Sequence, residues 1–306
     1  MKNRMMKNRM MKRNSKKIKE VIFALVILVV PLLWWAFSFT YQTGGTILLA
    51  FKKYNVLTQE TVWCGFDNFE QVFREIGKSG TLLNVSLKNS LILWLAQVFI
   101  SIPLSVIISF GLYKNVYGAK IYKVILFLPH IISGMVWVLI YKTFIEYGLR
   151  ADYIINENKN FIALYLYSFW LGFAGNMIMY TGAMSRIPPS LVEAGHLDGM
   201  TDMQEFWHIA LPLVYPTMSI VLITCVVSIF TVQLPVHQFY DTANSVKPEK
   251  YHLYTFGFYN FIKGLGGDLT ETPIISALSM IVCVIAAPVS LGVKSLLNKI
   301  GPIVEY

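Results

Sequence analysis

Six stretches that are almost free of charged residues constrain the fold of this 306-residue chain more than any other feature. Each has about the ~20 residues that a helix needs to cross ~30 Å of hydrocarbon. A water-soluble domain with so much uncharged sequence would expose large apolar surfaces. The sequence therefore predicts an all-α, polytopic membrane protein with six transmembrane helices. The stretches, whose only Asp, Glu, Lys or Arg is Lys142, are 21–41, 89–112, 124–142, 161–183, 211–236 and 272–293.

The overall composition agrees with a membrane protein and excludes several other classes. Apolar residues make up 55% of the chain and charged residues 14%, whereas soluble domains have roughly 45–50% and about 25%. These values exclude a disordered chain and a nucleic-acid-binding module. The three cysteines form no CxxC pair, so we expect neither a disulfide framework nor a metal site.

Positive charge is concentrated at the N-terminus, which predicts the orientation in the membrane. Nine of the 26 Lys and Arg residues lie in residues 1–20, and such an excess marks the cytoplasmic side. We therefore predict a basic cytoplasmic tail over 1–20, a transmembrane domain over 21–306, and both termini in the cytoplasm. The first span contains Pro31 and is followed by Gly44 and Gly45. One long tilted helix, or two helices broken at the glycines, would both fit.

The inner loop, residues 184–210, has a sequence that predicts two short capped helices. Pro189 suits the first turn of one helix, and Gly199 suits a left-handed cap at its end. Thr201 followed by Gln204 is a capping-box pattern for the second helix. We therefore expect a compact helix–turn–helix at the inner membrane surface, with an apolar side and an acidic side. An ordinary connector between spans would need neither the caps nor the tight turn.

The same loop resembles the EAA–DGA coupling loop found in the membrane subunits of bacterial binding-protein-dependent ABC importers. Glu193-Ala194-Gly195-His196-Leu197-Asp198-Gly199-Met200 matches that motif in identity, spacing and position, and Phe206, Ile209, Leu211 and Pro212 extend the match. Gly195 and Met200 depart from it, because the family usually has Ala at both places. The resemblance implies the type I ABC importer permease fold.

Further segments resemble the carbohydrate branch of these importers, closest to permeases for oligosaccharides and polysaccharide fragments. The outer segment 65–69 with Val72-Phe73 resembles the GLxNF segment of that branch, and 127–133 resembles its LPHxxS run. Residues 50–55 and Gly264-Leu265 also agree. The Gly-Gly-Pro that simple-sugar permeases carry after the fifth span is absent, which favours glycan fragments over small sugars.

The resemblance also implies partners and roles. This chain would pair with a second, homologous permease, two ATP-binding cassette ATPase subunits and an extracellular solute-binding lipoprotein in the bacterial cytoplasmic (inner) membrane. We expect no catalytic residues and no cofactor on this chain. It has no GxxxxGK[ST] motif, so ATP would bind the partner ATPases. The residues implied in ATPase coupling are Glu193, Ala194, Gly195, Asp198 and Gly199.

A few polar and aromatic residues in the spans are candidates for the substrate pathway. Polar groups at membrane depth are costly unless they face water, substrate or a partner, and sugars stack on aromatic rings. The candidates are Gln97, Asn176, Gln233 and His237, with Trp137 and Trp170 as stacking surfaces. A single amide in a span can equally join helices, and tryptophans can anchor span ends. His130 can contact substrate or satisfy backbone groups freed by Pro129.

Three other functions are compatible with parts of the sequence. A related importer would carry another small solute, such as polyamine, phosphate or peptide, although the LPHxxS and GLxNF-like segments argue against it. A membrane-embedded transferase would need acids or bases in or near its spans. The spans are nearly free of them, and the best remaining candidates are the four acids of the inner loop, which docking explains better. A secondary transporter usually has more spans, an inverted repeat and an intramembrane acid, and none of these is visible.

Overall fold

The computed structural model describes residues 2–148, 160–232, 254–265 and 269–302. Its first element, α1 (Lys2–Ala50), is one helix of 49 residues with Pro31 inside it. It continues past Gly44 and Gly45, so the alternative of a single long helix is the one observed. Side chains along its apolar part are largely exposed, as expected for a helix whose surroundings are lipid or another subunit.

Within these described ranges, five helical stretches are long and apolar enough to cross a bilayer: Leu25–Ala50, Leu82–Tyr113, Ile162–Met184, Asp202–Thr231 and Thr272–Ile300. The second joins α3 (Leu82–Ala96) to α4 (Ile102–Tyr113) through a π-helical segment at Gln97–Ser101. The last three stretches contain α7 (Asn160–Met184), α10 (Leu211–Thr231) and α12 (Thr272–Ile300), respectively. The short helix α11 (Phe256–Leu265) precedes α12. Five of the six predicted spans thus correspond to continuous helical stretches.

The span predicted at 124–142 is not one helix. It is divided between α5 (Ala119–Ile131) and α6 (Gly134–Thr143), with a π-helical segment at Phe144–Gly148 after α6. Ile132 and Ser133 separate the two helices and have extended backbone, with ψ of 143° and 134°. Ser133 and Gly134 both have low helix propensity, which favours a break at this point.

The outer segment 42–88 contains a small hairpin and a helix. Strands β1 (Lys52–Asn55) and β2 (Glu60–Trp63) pair antiparallel, with Lys52 opposite Trp63. The all-α prediction missed this hairpin, since each strand has only four residues and alternation over so short a run is a weak signal. The helix is α2 (Asp67–Gly77), in which Val72 is buried.

The centre of the fold is the packing of α4 against α7. Buried serines on α4 let the two helices approach closely. The Oγ of Ser105 lies 3.3 Å from the carbonyl oxygen of Phe173, and the Oγ of Ser109 lies 3.3 Å from that of Met177. A larger apolar cluster around Tyr167, Phe256 and Leu278 joins α7 to α11 and α12. This packing places one face of α7 next to the cavity described below.

Candidate functional site

The first helix of the inner loop, α8 (Pro189–Leu197), ends as its sequence predicts. Gly199 has a φ of +83°, which is the left-handed conformation. The N–H of Met200 donates to the carbonyl of Gly195 at 3.0 Å, and the N–H of Gly199 donates to that of His196 at 3.1 Å. This pair of bonds is the Schellman pattern, which satisfies the last carbonyls of a helix. The turn direction after α8 is therefore fixed by backbone geometry.

The second helix, α9 (Asp202–Glu205), begins with the predicted capping box. The N–H of Thr201 donates to Oε1 of Gln204 at 2.8 Å, and the N–H of Gln204 donates to Oγ1 of Thr201 at 3.4 Å. A π-helical segment at Phe206–Ala210 then leads directly into α10. Two caps and a tight turn thus hold the loop in one conformation, as a preformed docking element requires.

The surface of α8 is not covered by the other residues that the structure describes. None of its residues is buried, and Glu193, Ala194 and Asp198 are exposed. Leu197 keeps 89% of its surface exposed, and Leu191, Met203 and Trp207 are also exposed apolar residues of this loop. A contiguous apolar surface with acidic neighbours is typical of a site that another protein covers. Gly195 leaves room for Met200, which folds over it. A Cβ added at Gly195 would lie 2.3 Å from the Cε of Met200.

A cavity of about 620 Å³ lies between α3, α5, α7 and α10, a size typical of small-molecule sites. Gln97 and Asn176, two of the residues predicted for a substrate pathway, line this cavity, and so does His130. Gln97 starts the π-helical segment between α3 and α4, and such segments are frequent at functional sites. The other lining residues are Ser90, Leu93, Trp94, Ala96, Tyr165, Ser168, Phe169, Leu171, Gly172, Gly175, Ile178, Met179, Ser228, Ile229 and Val232.

Two glycines on α7 make room for the polar side chains of the cavity. A Cβ on Gly172 would lie 2.6 Å from Oε1 of Gln97, and a Cβ on Gly175 would lie 2.8 Å from Nε2 of His130. Both distances are well inside van der Waals contact. A side chain at either position would displace Gln97 or His130, so these glycines determine where the polar groups stand.

Several buried polar atoms of the cavity wall lack hydrogen-bond partners within the described part of the chain. They are Nε1 of Trp94, Oγ of Ser168 and Nδ2 of Asn176. Buried donors without partners are uncommon, since each costs about 1–3 kcal/mol. All three atoms belong to side chains that line the cavity. Trp94 and Ser168 were not candidates on sequence grounds. A signal for this wall was present in α7, because Tyr165, Phe169, Gly172 and Asn176 recur at helical spacing on one face of the helix.

The remaining predicted pathway residues do not line this cavity in the described structure. Trp137 is buried, and its ring lies 5.0 Å from that of Trp170 in an edge-to-face contact. Trp137 belongs to the apolar cluster that also holds Tyr167, and Trp170 packs against this cluster. Both tryptophans therefore contact other side chains of the protein. Helical spans can be recognised from sequence, but which face of a uniformly apolar span turns inward cannot. Gln233 and His237 lie outside the described residues.

Comparison with known proteins identifies relatives among bacterial transport proteins. Residues 82–295 match the family described as "Binding-protein-dependent transport system inner membrane component". The chain is 26% identical to the multiple sugar-binding transport system permease protein MsmF of Streptococcus mutans over 220 residues, which cover 68% of this chain and 74% of that protein. It is 24% identical to the polygalacturonan/rhamnogalacturonan transport system permease protein YteP of Bacillus subtilis, over 65% of this chain and 66% of that one.

The fold also matches a solved structure. A chain of a bacterial ABC transporter involved in the import of the acidic polysaccharide alginate superimposes with a TM-score of 0.72 at 22% identity. The match covers 95% of this chain and 100% of the other. At this identity the likeness establishes the fold.

Proposed function

The chain belongs to the family of binding-protein-dependent transport system inner membrane components, and we propose that it forms half of the pathway of an ATP-driven carbohydrate importer. The observation that carries the substrate class is the cavity wall, where unpartnered donors of Trp94, Ser168 and Asn176 lie beside aromatic rings. Sugar hydroxyls accept such hydrogen bonds, and sugar rings pack on aromatic faces. The names of the relatives, which include a multiple sugar-binding and a polygalacturonan/rhamnogalacturonan transport system permease, favour an oligosaccharide or glycan fragment.

The inner loop is the proposed contact with the ATPase. Its exposed α8 presents Glu193 between apolar residues, which suits insertion into a groove that contains a basic group. Asp198 and Gly199 fix the turn, the small side chain of exposed Ala194 lets a partner approach the helix closely, and Gly195 makes room for Met200. ATP would then bind and be hydrolysed on separate subunits, while this chain transmits the resulting movement.

The proposed assembly has five components. This chain pairs with a second homologous permease, each permease contacts one ATPase subunit, and an extracellular solute-binding lipoprotein delivers the carbohydrate. The five bilayer-length helices support a multi-pass membrane location. The basic tail over 1–20 supports cytoplasmic termini.

The ATPase contact is tested by Glu193→Ala. Loss of one partner of a charge pair buried on docking costs about 3–5 kcal/mol, so we expect uptake of labelled oligosaccharide to fall to background while the protein remains in the membrane. Ser190→Ala, an exposed change on the same helix, is the matched control and should transport normally. Normal uptake by Glu193→Ala would refute the docking assignment.

The substrate contact is tested by Asn176→Leu, which removes an unpartnered donor and keeps the side-chain volume similar. One hydrogen bond contributes about 0.5–1.5 kcal/mol, so the carbohydrate concentration for half-maximal stimulation of the ATPase should rise by about two- to tenfold. Met179→Leu, an apolar change in the same wall, should leave that concentration unchanged. Equal effects of the two substitutions would argue against a hydrogen bond to substrate.

A further inference from the structure

A buried carboxylate joins the inner loop to the cytoplasmic end of α4. Glu205 is 1% exposed, and its Oε2 accepts a hydrogen bond from the Nζ of Lys114 at 2.8 Å. The same oxygen lies 3.0 Å from Nε2 of His196. Lys114 also contacts Oδ1 of Asp202 at 2.9 Å. Neither Lys114 nor Glu205 was a candidate on sequence grounds, since 91 residues separate them.

The clasp, as we name the contacts among Lys114, His196 and Glu205, is the polar attachment of α8. The other ring nitrogen of His196, Nδ1, lies 3.0 Å from the carbonyl oxygen of Met200, so the imidazole is held from both sides. No residue of α8 is buried, and Val192 is its partly buried residue that packs against the apolar cluster around Phe206. Movement of α8 therefore acts on Glu205 through the His196 ring.

The clasp coincides with an aromatic contact between the same two elements. Lys114 directly follows α4, and Phe110 lies one turn earlier on that helix. The ring of Phe110 lies 5.1 Å from the ring of Phe206, the residue after Glu205, in an edge-to-face arrangement. Adjacent residues of the inner loop thus hold the end of α4 through one charged and one apolar contact.

From α4 the contacts continue to the cavity. Ser105 and Ser109 join α4 to the backbone of α7 at Phe173 and Met177, and Asn176 of the cavity wall lies between these two residues on α7. Packed helices move as rigid elements. A shift at the end of α4 is therefore carried to the cavity through close backbone contacts.

We propose that the Lys114–Glu205–His196 clasp transmits displacement of α8 to α4 and α7, which makes Glu205 a positioning residue for coupled transport. This inference rests on the proposed contact between α8 and an ATPase. It assigns to the clasp a task distinct from docking, because Glu193 would bind the ATPase whereas Glu205 faces into this chain. Docking without the clasp would leave ATP hydrolysis disconnected from movement at the cavity.

The charges of the clasp are supplied by the chain itself. Donor atoms of His196, Asp202 and Glu205 lie within 4.8 Å of one another, a spacing that suits a cation, and the ammonium of Lys114 provides that positive charge. Burial lowers the pKa of Lys114, but hydrogen bonds to Glu205 and Asp202 outweigh it, and the pKa is raised above 10.5. Lys114 therefore stays charged under all physiological conditions.

The test measures coupling in proteoliposomes that contain the complete importer. Glu205→Gln keeps the side-chain shape and leaves Lys114 paired with Asp202. We expect it to bind the ATPase as the wild type does, while the number of carbohydrate molecules moved per ATP hydrolysed falls by about tenfold. Lys114→Arg preserves both charge contacts and should keep the wild-type ratio, and Asp202→Asn removes only the exposed arm and should do the same.

A double variant separates transmission from stability. Replacing a buried charge pair by apolar residues is often neutral for folding, so Lys114→Leu with Glu205→Leu should keep the melting temperature. The number of carbohydrate molecules moved per ATP should still fall, because Nε2 of His196 loses its contact with Glu205. A wild-type ratio in Glu205→Gln would overturn the inference, and so would loss of ATPase binding together with coupling in both variants. Failure of the wild-type chain to bind any ATPase would instead overturn the proposed function.

Discussion

Gly199 offers a clean test of how the turn of the inner loop is built. Its φ of +83° lies where side-chain-bearing residues are strained, yet an added Cβ would find no atom within 4 Å. The effect of a substitution is therefore conformational, free of steric collision within this chain. Gly199→Ala should cost about 1–2 kcal/mol, the penalty for placing an L-residue in the left-handed region.

That energy converts into a graded loss of function. A cost of 1–2 kcal/mol corresponds to about a 5–30-fold reduction in the population of the correctly turned loop. Asn tolerates this region better than Ala, and β-branched Val tolerates it worse. We therefore expect uptake to decrease in the order Gly, Asn, Ala, Val at position 199.

The assay is the initial rate of labelled oligosaccharide uptake in cells with matched amounts of each variant in the membrane. Gly182→Ala is the control, since Gly182 lies inside α7 with no atom near the added Cβ and should transport normally. Wild-type uptake by Gly199→Ala would refute the conformational reasoning. Equal damage from Asn and Ala would show that any side chain there collides with the partner subunit.

Two further changes test packing that surrounds the functional regions. Asn68 is buried, and its Nδ2 donates to the carbonyls of Ala50 and Lys52 at 2.8 Å each. Asn68→Ala should therefore cost about 1–3 kcal/mol and lower the thermal midpoint of the purified protein. An unchanged midpoint would contradict this expectation. Gly195→Ala displaces the Met200 methyl from its place over the helix, whereas the double variant with Met200→Ala gains helix propensity without that conflict. The two effects should be non-additive by about 0.5–1 kcal/mol in thermal unfolding, and strict additivity would show that the two residues do not pack together.

Much of the fold was accessible from sequence because membrane spans are recognised by the absence of charge. The predicted span 161–183 corresponds to α7 (Asn160–Met184), and 272–293 lies within α12 (Thr272–Ile300). The caps of the inner loop were also predictable, because Gly199 and the Thr201–Gln204 pair act through bonds within a few residues. Local chemistry sufficed wherever partners are neighbours in the chain.

What could not be predicted depends on long-range packing or on the facing of apolar helices. The break at Ile132-Ser133 has no proline or charge at the break itself, and Trp137 and Trp170 were read as stacking surfaces although they pack on each other. Lys114 and Glu205 meet only because α4 and the inner loop come together in space. The two departures from the family motif, Gly195 and Met200, looked independent in sequence but are in contact in the structure.

The central claim is that this chain is the permease of an ATP-driven importer coupled through α8. Its most direct test is affinity purification of the tagged chain from native membranes in mild detergent, followed by mass spectrometry. We expect a second, related permease and an ATP-binding cassette ATPase to co-purify, and the ATPase to be lost from Glu193→Arg. Glu60→Arg, an exposed charge reversal on the outer hairpin, should retain both partners. Recovery of the chain alone or as a homodimer, without an ATPase in several detergents, would contradict the account.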